Sequence, residues 1–165
     1  MSKLTDYPIN PCQEDDIAFT KVKLPFGWMQ NMAAFSVTYK DHLFPTTEHL
    51  FQAMRFPFES EHFLHLKTIK SPMSAKFYAK GNAEHMTVLQ TGTEDLDNME
   101  LCLMLKVQQH EELMNMLAET GERRLIEDVT SRPHGSGKFW GAAREGDNWV
   151  GYNVLGELWM KIRSS

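Results

Sequence analysis

The chain of 165 residues reads as an α+β protein, mostly helical, with about five helices around a small β-sheet. Three observations predict this. Apolar residues recur at helical spacing through the middle of the chain and again near its end. Strand-like stretches are short, chiefly the alternating Phe35–Tyr39 that turns into His42–Phe44, and Leu125–Val129, which together supply the expected sheet. No internal repeat or linker interrupts the pattern, so residues 1–165 are taken as one domain, with 1–18 as an irregular N-terminal arm.

The arm is polar, holds Pro8, Pro11 and the acidic run Glu14 to Asp16, and reads as irregular chain or an edge strand. Ile17 to Leu24 is short and β-compatible. KLPFGWMQNMAAF then places Gly27, Trp28 and Asn31 in a loop. Phe35, Val37 and Tyr39 alternate with polar residues as a half-buried strand, and Lys40-Asp41 turns it into His42 to Phe44.

The stretch PTTEHLFQAMRF, Pro45 to Phe56, opens a helix with Thr46 or Thr47 as its hydroxyl cap. Leu50, Phe51, Met54, Pro57 and Phe58 continue a buried stripe. Glu48, Gln52 and Arg55 fall at i, i+4 and i+7 on another face, where a carboxylate, an amide and a guanidinium line up to hold a polar ligand. In the first turn the helix dipole favours ionised Glu48, which suits a charge stabiliser, base or nucleophile before a proton donor. The plainer alternative is an ordinary first-turn glutamate with an exposed partner.

A helix over Glu59–Ile69 carries Phe63, Leu64 and Leu66 inward. Its His62 and His65, beside Glu61, sit at i, i+3, and read as a solvated face, not a metal pair. Ser71-Pro72 starts the next helix, in which Ala75, Phe77 and Tyr78 pack, Lys76 and Lys80 are candidate cations, and Gly81 is the stop. Residues 82–95 look like a polar loop. Leu96–Gln109 is nearly apolar all round, so it is expected to be the buried central helix. Lys106 is the one basic residue within it and must snorkel out, pair with a carboxylate or face a polar cavity. Glu111–Glu119 buries Leu113, Met114 and Leu117 and stops at Gly121. Six of the ten glycines lie between Gly135 and Gly156, with Trp140, Asn148, Trp149 and Asn153 among them. They fit either a shaped loop whose backbone approaches a ligand or a set of tight turns. Leu155, Leu158, Trp159 and Ile162 close the chain as an amphipathic helix.

Composition excludes several classes of function. Apolar content of 42% and charged content of 24% are those of a soluble globular protein. No apolar run is long enough to span a membrane, and the first residues lack the apolar stretch of a signal peptide. Cys12 and Cys102 are too few and too far apart for a disulfide framework or a cysteine metal site, which suits a reducing cytosol. A net charge of −5 argues against tight nonspecific duplex binding, while a local Lys/Arg cluster still serves a nucleotide-sized substrate. No P-loop or dinucleotide glycine motif is present, and no metal or cofactor is expected.

Several blocks in order resemble the YbiA-like, or NADAR, family of N-glycosidases. GWMQNMAAFSVTY is similar to its opening segment, PTTEHLFQAMRF to its EHxxQAxKF signature with Arg55 where Lys is common, and SPMSAKFYAKG to its SPxxAKxxG block. MELCLMLKVQQHEELMNMLAETGERRLIE and FWGAAREGDNWVGYNVLGELWMKIR resemble the remaining two, so the likeness covers about residues 26–163. Two features depart from it. Many members carry Asp three residues before the Trp-Gly pair, where this chain has Gly137, and a Trp ahead of the long helix, which is missing near Thr91.

The resemblance implies cleavage of a bond between an anomeric ribose carbon and an exocyclic amine. The substrates it implies are ribosylamino-pyrimidine phosphates of the riboflavin pathway or ADP-ribosylated guanine, with nucleic acid entering only as substrate. Such chemistry needs a carboxylate near the anomeric carbon, a nucleophile or activated water, and a proton for the leaving amine. Glu48 is the candidate carboxylate. Lys106, or failing it Lys76, is the candidate amine for a Schiff base or a phosphate partner. Trp28 and Trp140 are candidates to stack on the base. Asn31, Gln52, Arg55, Gly141 and Asn153 complete the expected substrate-binding set, with Arg55 and Asn153 on phosphate or ribose. A nucleotide- or ADP-ribose-binding module without turnover is the alternative.

Overall fold

The computed structural model describes residues 6–165. In chain order its elements are β1 (Ile9–Pro11), β2 (Ile17–Phe19), a 3-10 turn (Gly27–Met29), β3 (Val37–Tyr39), β4 (His42–Phe44), α1 (Thr47–Ala53), α2 (Glu61–Thr68), α3 (Pro72–Gly81), a second 3-10 turn (Ala83–His85) and α4 (Thr93–Gln109). There follow α5 (Glu111–Glu119), β5 (Leu125–Glu127), α6 (Gly137–Trp140), β6 (Ala143–Glu145), β7 (Asn148–Val150) and α7 (Val154–Ser164). The α+β, mostly helical class is as expected. The expected single sheet is not. The hairpin β3–β4 pairs with itself, β5 pairs in parallel with β2, and β1-β7-β6 form a third, antiparallel sheet. Which strands share a sheet depends on pairings distant in sequence, which local alternation does not encode. The expected arm begins outside the described residues, and its later part forms β1, an edge strand.

The chain folds into two compact units, residues 31–116 and residues up to 30 together with 117–165. In the first, α1 packs against α2, α3, α4 and the hairpin, and all seven of its residues are buried. This corrects the expectation that the helix around Cys102 is the buried central one. On α4 the buried residues are Asp95, Met99, Cys102, Leu103, Lys106 and Val107, while Leu101 faces outward. Leu64, Phe58, Phe77 and Met114, all expected inside, are exposed as well. The stretch expected as a loop over 82–95 contains the second 3-10 turn and the first turn of α4.

Local signals set where these elements begin. Lys40 and Asp41 both adopt positive φ, the two-residue turn that matches strand twist in a hairpin. The hydroxyls of Thr46, Ser60 and Ser71 accept the N–H groups of His49, Phe63 and Ser74, capping α1, α2 and α3. His49, fully buried, bridges Thr46 Oγ1 at 2.8 Å and the Ile69 carbonyl at 2.8 Å, pinning α1 to the chain after α2.

In the other unit α7 lies on β5. Asn153, left-handed at φ 52°, accepts the Glu127 N–H at 2.9 Å and donates to the Leu125 carbonyl at 2.9 Å. A Cβ on Gly156 would stand 2.1 Å from the Leu125 carbonyl oxygen, so only glycine permits this helix–strand approach. The glycine-rich segment thus resolves into turns and close backbone packing. Arg124 grips Asp16 through Nε at 2.8 Å and Nη2 at 2.7 Å, holding the loop between β1 and β2 against the start of β5.

Two outcomes follow for stability. Gly156→Ala is expected to lower the urea unfolding free energy by more than about 2 kcal/mol, because the new methyl meets backbone that cannot move aside cheaply. Burial lowers the His49 pKa below its ordinary 6.5, partly opposed by the Ile69 hydrogen bond. The unfolded chain therefore takes up this proton more readily. The stabilisation is fully present above pH 6.5 and is lost progressively as pH falls below it. The wild type should lose more stability between pH 7 and pH 5 than His49→Gln, and parallel loss in the two would refute the assignment.

Candidate active site

The first turn of α1 is fixed by Asn31. Its backbone carbonyl accepts the Glu48 N–H at 3.0 Å and its side-chain oxygen accepts the Thr47 hydroxyl at 3.0 Å. Its amide nitrogen lies 3.1 Å from the Met99 sulfur on α4. Asn31 therefore clamps the start of α1 to α4. Glu48 sits in that turn, 8% exposed, and accepts from Gln52 Nε2 at 3.2 Å. Arg55 donates through Nη1 to Gln52 Oε1 at 3.3 Å, and its other two nitrogens grip Asp95 at 2.9 and 2.8 Å. Glu48, Gln52 and Arg55 do share a face, as their spacing predicts, but inside the protein.

Burial decides the electrostatics. It pushes the Glu48 carboxyl above its ordinary 4.5, against the Gln52 hydrogen bond and the charges of Lys76 and Arg55, which favour the anion. The first-turn position alone predicted the opposite direction. A carboxyl raised by burial holds its proton more readily than one in water, as a proton donor needs.

Across from it, Asp95, Met99, Cys102 and Lys106 fall on one face of α4 at i, i+4, i+7 and i+11. The Cys102 sulfur lies 3.7 Å from that of Met54, and its thiol is pushed up by burial first and then by the charges of Glu48 and Asp95. This face of α4 is therefore electrostatically joined to Glu48. Lys106 comes one turn after Cys102, about 6 Å further along the axis. It is fully buried and does not snorkel. Burial lowers its pKa from 10.5 to about 7, and Nζ stands 5.4 Å from the centre of the Phe35 ring. Lys76, by contrast, is exposed on α3, where its charge reaches Glu48.

The structure thus brings Asn31, Glu48, Gln52, Arg55, Lys76 and Lys106 into one unit: Glu48 and Gln52 on α1, Asn31 and Arg55 in the chain before and after it, Lys76 on α3 and Lys106 on α4. Trp28, Trp140, Gly141 and Asn153 lie in the second unit. Trp28, buried in the first 3-10 turn, packs edge-on against Trp159 with ring centres 5.4 Å apart. Trp140 packs edge-on against Phe139 at 5.0 Å. Gly141 donates to the Gly137 carbonyl at 2.7 Å and accepts from the Asn153 N–H at 3.0 Å. Both amide atoms of Asn153 bond to β5, so its observed part is architectural. Arg55 is likewise occupied by Asp95, which weighs against a phosphate-holding part. Asp95 is the residue that sequence reasoning missed. The signal was there, in an acidic first turn, Glu94 and Asp95, following Gly92.

His62 bonds Tyr78 Oη at 2.8 Å and stacks on His85, and among the described residues no cluster of three or more His, Cys, Asp or Glu is placed to hold a metal. No helix among them is long and apolar enough to cross a membrane.

A profile of the NADAR domain matches residues 18–165, and the chain belongs to the NADAR domain family, which includes N-glycosidases. Among relatives, the N-glycosidase YbiA of Shigella boydii serotype 4 (strain Sb227) is 29% identical over 153 residues, covering 92% of this chain and 88% of that protein. The N-glycosidase YbiA of Escherichia coli (strain K12) is 28% identical over the same shares. The NMR structure of the E. coli protein YbiA matches with a TM-score of 0.74 at 27% identity, over 94% of this chain and 87% of that one.

Lys106 gives a test of the site's electrostatics that needs no substrate. A lysine whose pKa is lowered on folding opposes the folded state below its unfolded pKa of 10.5, and the opposition shrinks as pH rises from about 7 toward that value. Lys106→Met is expected to raise the thermal midpoint at pH 7, by the order of a few kcal/mol in stability, with a smaller gain at pH 10. A midpoint that falls at both pH values would show the lysine to be a net stabiliser.

Proposed function

We propose that the chain is an N-glycosidase that hydrolyses the bond between an anomeric ribose carbon and an exocyclic amine, on ribosylamino-pyrimidine phosphates or on ADP-ribosylated guanine. The observation that carries this reading is a carboxyl on α1 and an amine on α4, the helix packed against it, both buried, so that burial raises the Glu48 pKa and lowers that of Lys106 to about 7. Environments that favour the protonated acid and the neutral amine suit proton donation and nucleophilic attack.

The chemistry divides between the two groups. When the ribosylamine ring opens, the bond from the anomeric carbon to the ring oxygen breaks, the proton of the exocyclic N–H passes to that oxygen, and the anomeric carbon becomes doubly bonded to the exocyclic nitrogen. Neutral Lys106 adds its lone pair to that carbon, and the exocyclic nitrogen leaves as the primary amine with the bonding pair, taking one proton from the lysine nitrogen and one from the Glu48 carboxyl. This leaves a Schiff base on Lys106. Glu48, now anionic, takes a proton from the water that adds to the Schiff base. Release of the sugar returns Lys106 to its amine. Lys76, exposed beside the site, is suited to a substrate phosphate. Trp28, Trp140 and Gly141 stay candidates for contact with the base on the family resemblance alone.

One observation favours the binding-module alternative. Gly137 stands where many relatives are expected to carry Asp, and a Cβ there would meet the Arg132 carbonyl oxygen at 2.7 Å, so this backbone position does not accommodate the carboxylate itself.

Paired turnover assays by mass spectrometry separate these readings. The protein and Glu48→Gln receive a ribosylamino-pyrimidine phosphate and, separately, an ADP-ribosylated guanosine oligonucleotide. Glu48→Gln is expected to lose roughly 10²-fold or more in kcat with little change in substrate affinity. Borohydride added during turnover should fix the sugar on Lys106, and turnover without any trapped adduct would remove the Schiff base and leave direct attack by water. Binding with no Glu48-dependent release from either substrate would favour the module.

A further inference from the structure

Glu48, Gln52, Arg55 and Asp95 form one unbroken chain of hydrogen bonds. A primary amide has a donor end and an acceptor end, and its neighbours decide which way it points. A guanidinium only donates. The Gln52 atom facing Arg55 Nη1 at 3.3 Å is therefore Oε1, and the amide N–H is turned toward Glu48 Oε1 at 3.2 Å. Arg55 cannot swing away from this duty. Asp95, fully buried, takes its Nε and Nη2 at 2.9 and 2.8 Å. The Thr91 N–H holds Asp95 Oδ2 at 2.8 Å, and the Phe51 ring covers the guanidinium at 4.5 Å.

We propose that Asp95 is a positioning residue for Glu48, acting through Arg55 to fix the Gln52 amide with its N–H toward the carboxyl. The chemistry at position 55 follows from this. An arginine fork can grip both oxygens of Asp95 and still reach Gln52, whereas the single ammonium of a lysine cannot make all three bonds in this geometry. With its acceptor end fixed on Arg55, Gln52 offers Glu48 a donor at all times. That favours the anion and works against burial. Without Asp95, Arg55 loses its anchor, and Gln52 is free to present its oxygen, which favours the protonated acid instead.

Among the described residues, Lys76 from α3 and Arg55 beyond the end of α1 act on the Glu48 charge, and Cys102 from α4 feels the charges of both Glu48 and Asp95. Loss of the Asp95 charge would by itself remove a repulsion and lower the Glu48 midpoint. Loss of the relay raises it. The sign of the change therefore separates positioning from plain charge.

The inference rests on Glu48 as the reacting carboxyl only for its effect on turnover, because the titration is read without substrate. The full chain is labelled with carbon-13 at the glutamate side-chain carboxyl, and the Glu48 resonance is identified by its loss in Glu48→Gln. Its midpoint is then followed by NMR in the wild type, Asp95→Asn, Gln52→Met and the double variant. Asp95→Asn and Gln52→Met should each raise the midpoint, by about one pH unit or more, and the double variant should go no higher than Gln52→Met alone. A midpoint that falls or stays in Asp95→Asn, or that rises additively in the double variant, overturns the relay. Should Asp95→Asn not fold, Gln52→Met and Arg55→Lys decide it, since an unshifted midpoint in either is contrary to the relay. The corresponding limb of the pH–rate profile should move with the NMR midpoint. A shifted midpoint with an unmoved profile would leave the relay standing and remove Glu48 from the reaction.

Discussion

A seven-residue helix with every side chain out of water exists only where its polar groups are bonded inside the protein, and α1 meets that condition at each position. Thr47 bonds Asn31, His49 bridges Thr46 and Ile69, and Gln52 joins Glu48 to Arg55. The last of these ends on the buried Arg55–Asp95 pair. A buried charge pair is a poor source of stability, but breaking it leaves a charge without its partner and costs several kcal/mol, about 3–5 in comparable cases. The arrangement is better understood as a device for orientation. It holds in one orientation a carboxyl whose charged form burial disfavours.

The same low-dielectric layer acts in opposite senses on two groups. It disfavours the anion of Glu48 and the cation of Lys106, so both sit nearer neutrality than in water. Neither shift requires the other residue, since burial is the leading cause in each. An active site of this kind is in part a by-product of packing α1 against α4. On the proposed function, the lysine would lower stability in the same place where it serves as a nucleophile, a trade that recurs wherever function sits in a core.

What the sequence made legible follows the range of each signal. Helix starts were readable at Thr46 and Ser71 because a cap is a bond between near neighbours. The Lys40-Asp41 turn was readable for the same reason. Lys106 stood out as the one cation in an apolar run, and of the three outcomes left open for it burial removes snorkelling. The three small sheets were not readable, because β5 finds β2 and β7 finds β1 across most of the chain. The direction of the Glu48 shift was misjudged because the dipole of α1 is local, whereas the burial that outweighs it comes from surrounding helices. Asp95 was passed over for a related reason. Its importance comes from Arg55, forty residues earlier. Gly156 and Asn153 looked equally suited to a ligand and to the protein's own backbone, and only the position of β5 decides that.

The division of the chain has a consequence for how it is made. Residues 31–116 are continuous, so their packing can close as soon as that stretch has left the ribosome. The other unit is discontinuous. Ile9 pairs with Val150 and Ile17 with Leu125, so the first strands must wait unpaired through the synthesis of more than a hundred intervening residues. During that interval β2 presents Ile17 and Phe19, both buried in the finished fold, to the surroundings. The opening segment, by the logic of its pairings, is the last to find its place and the one most in need of protection until it does.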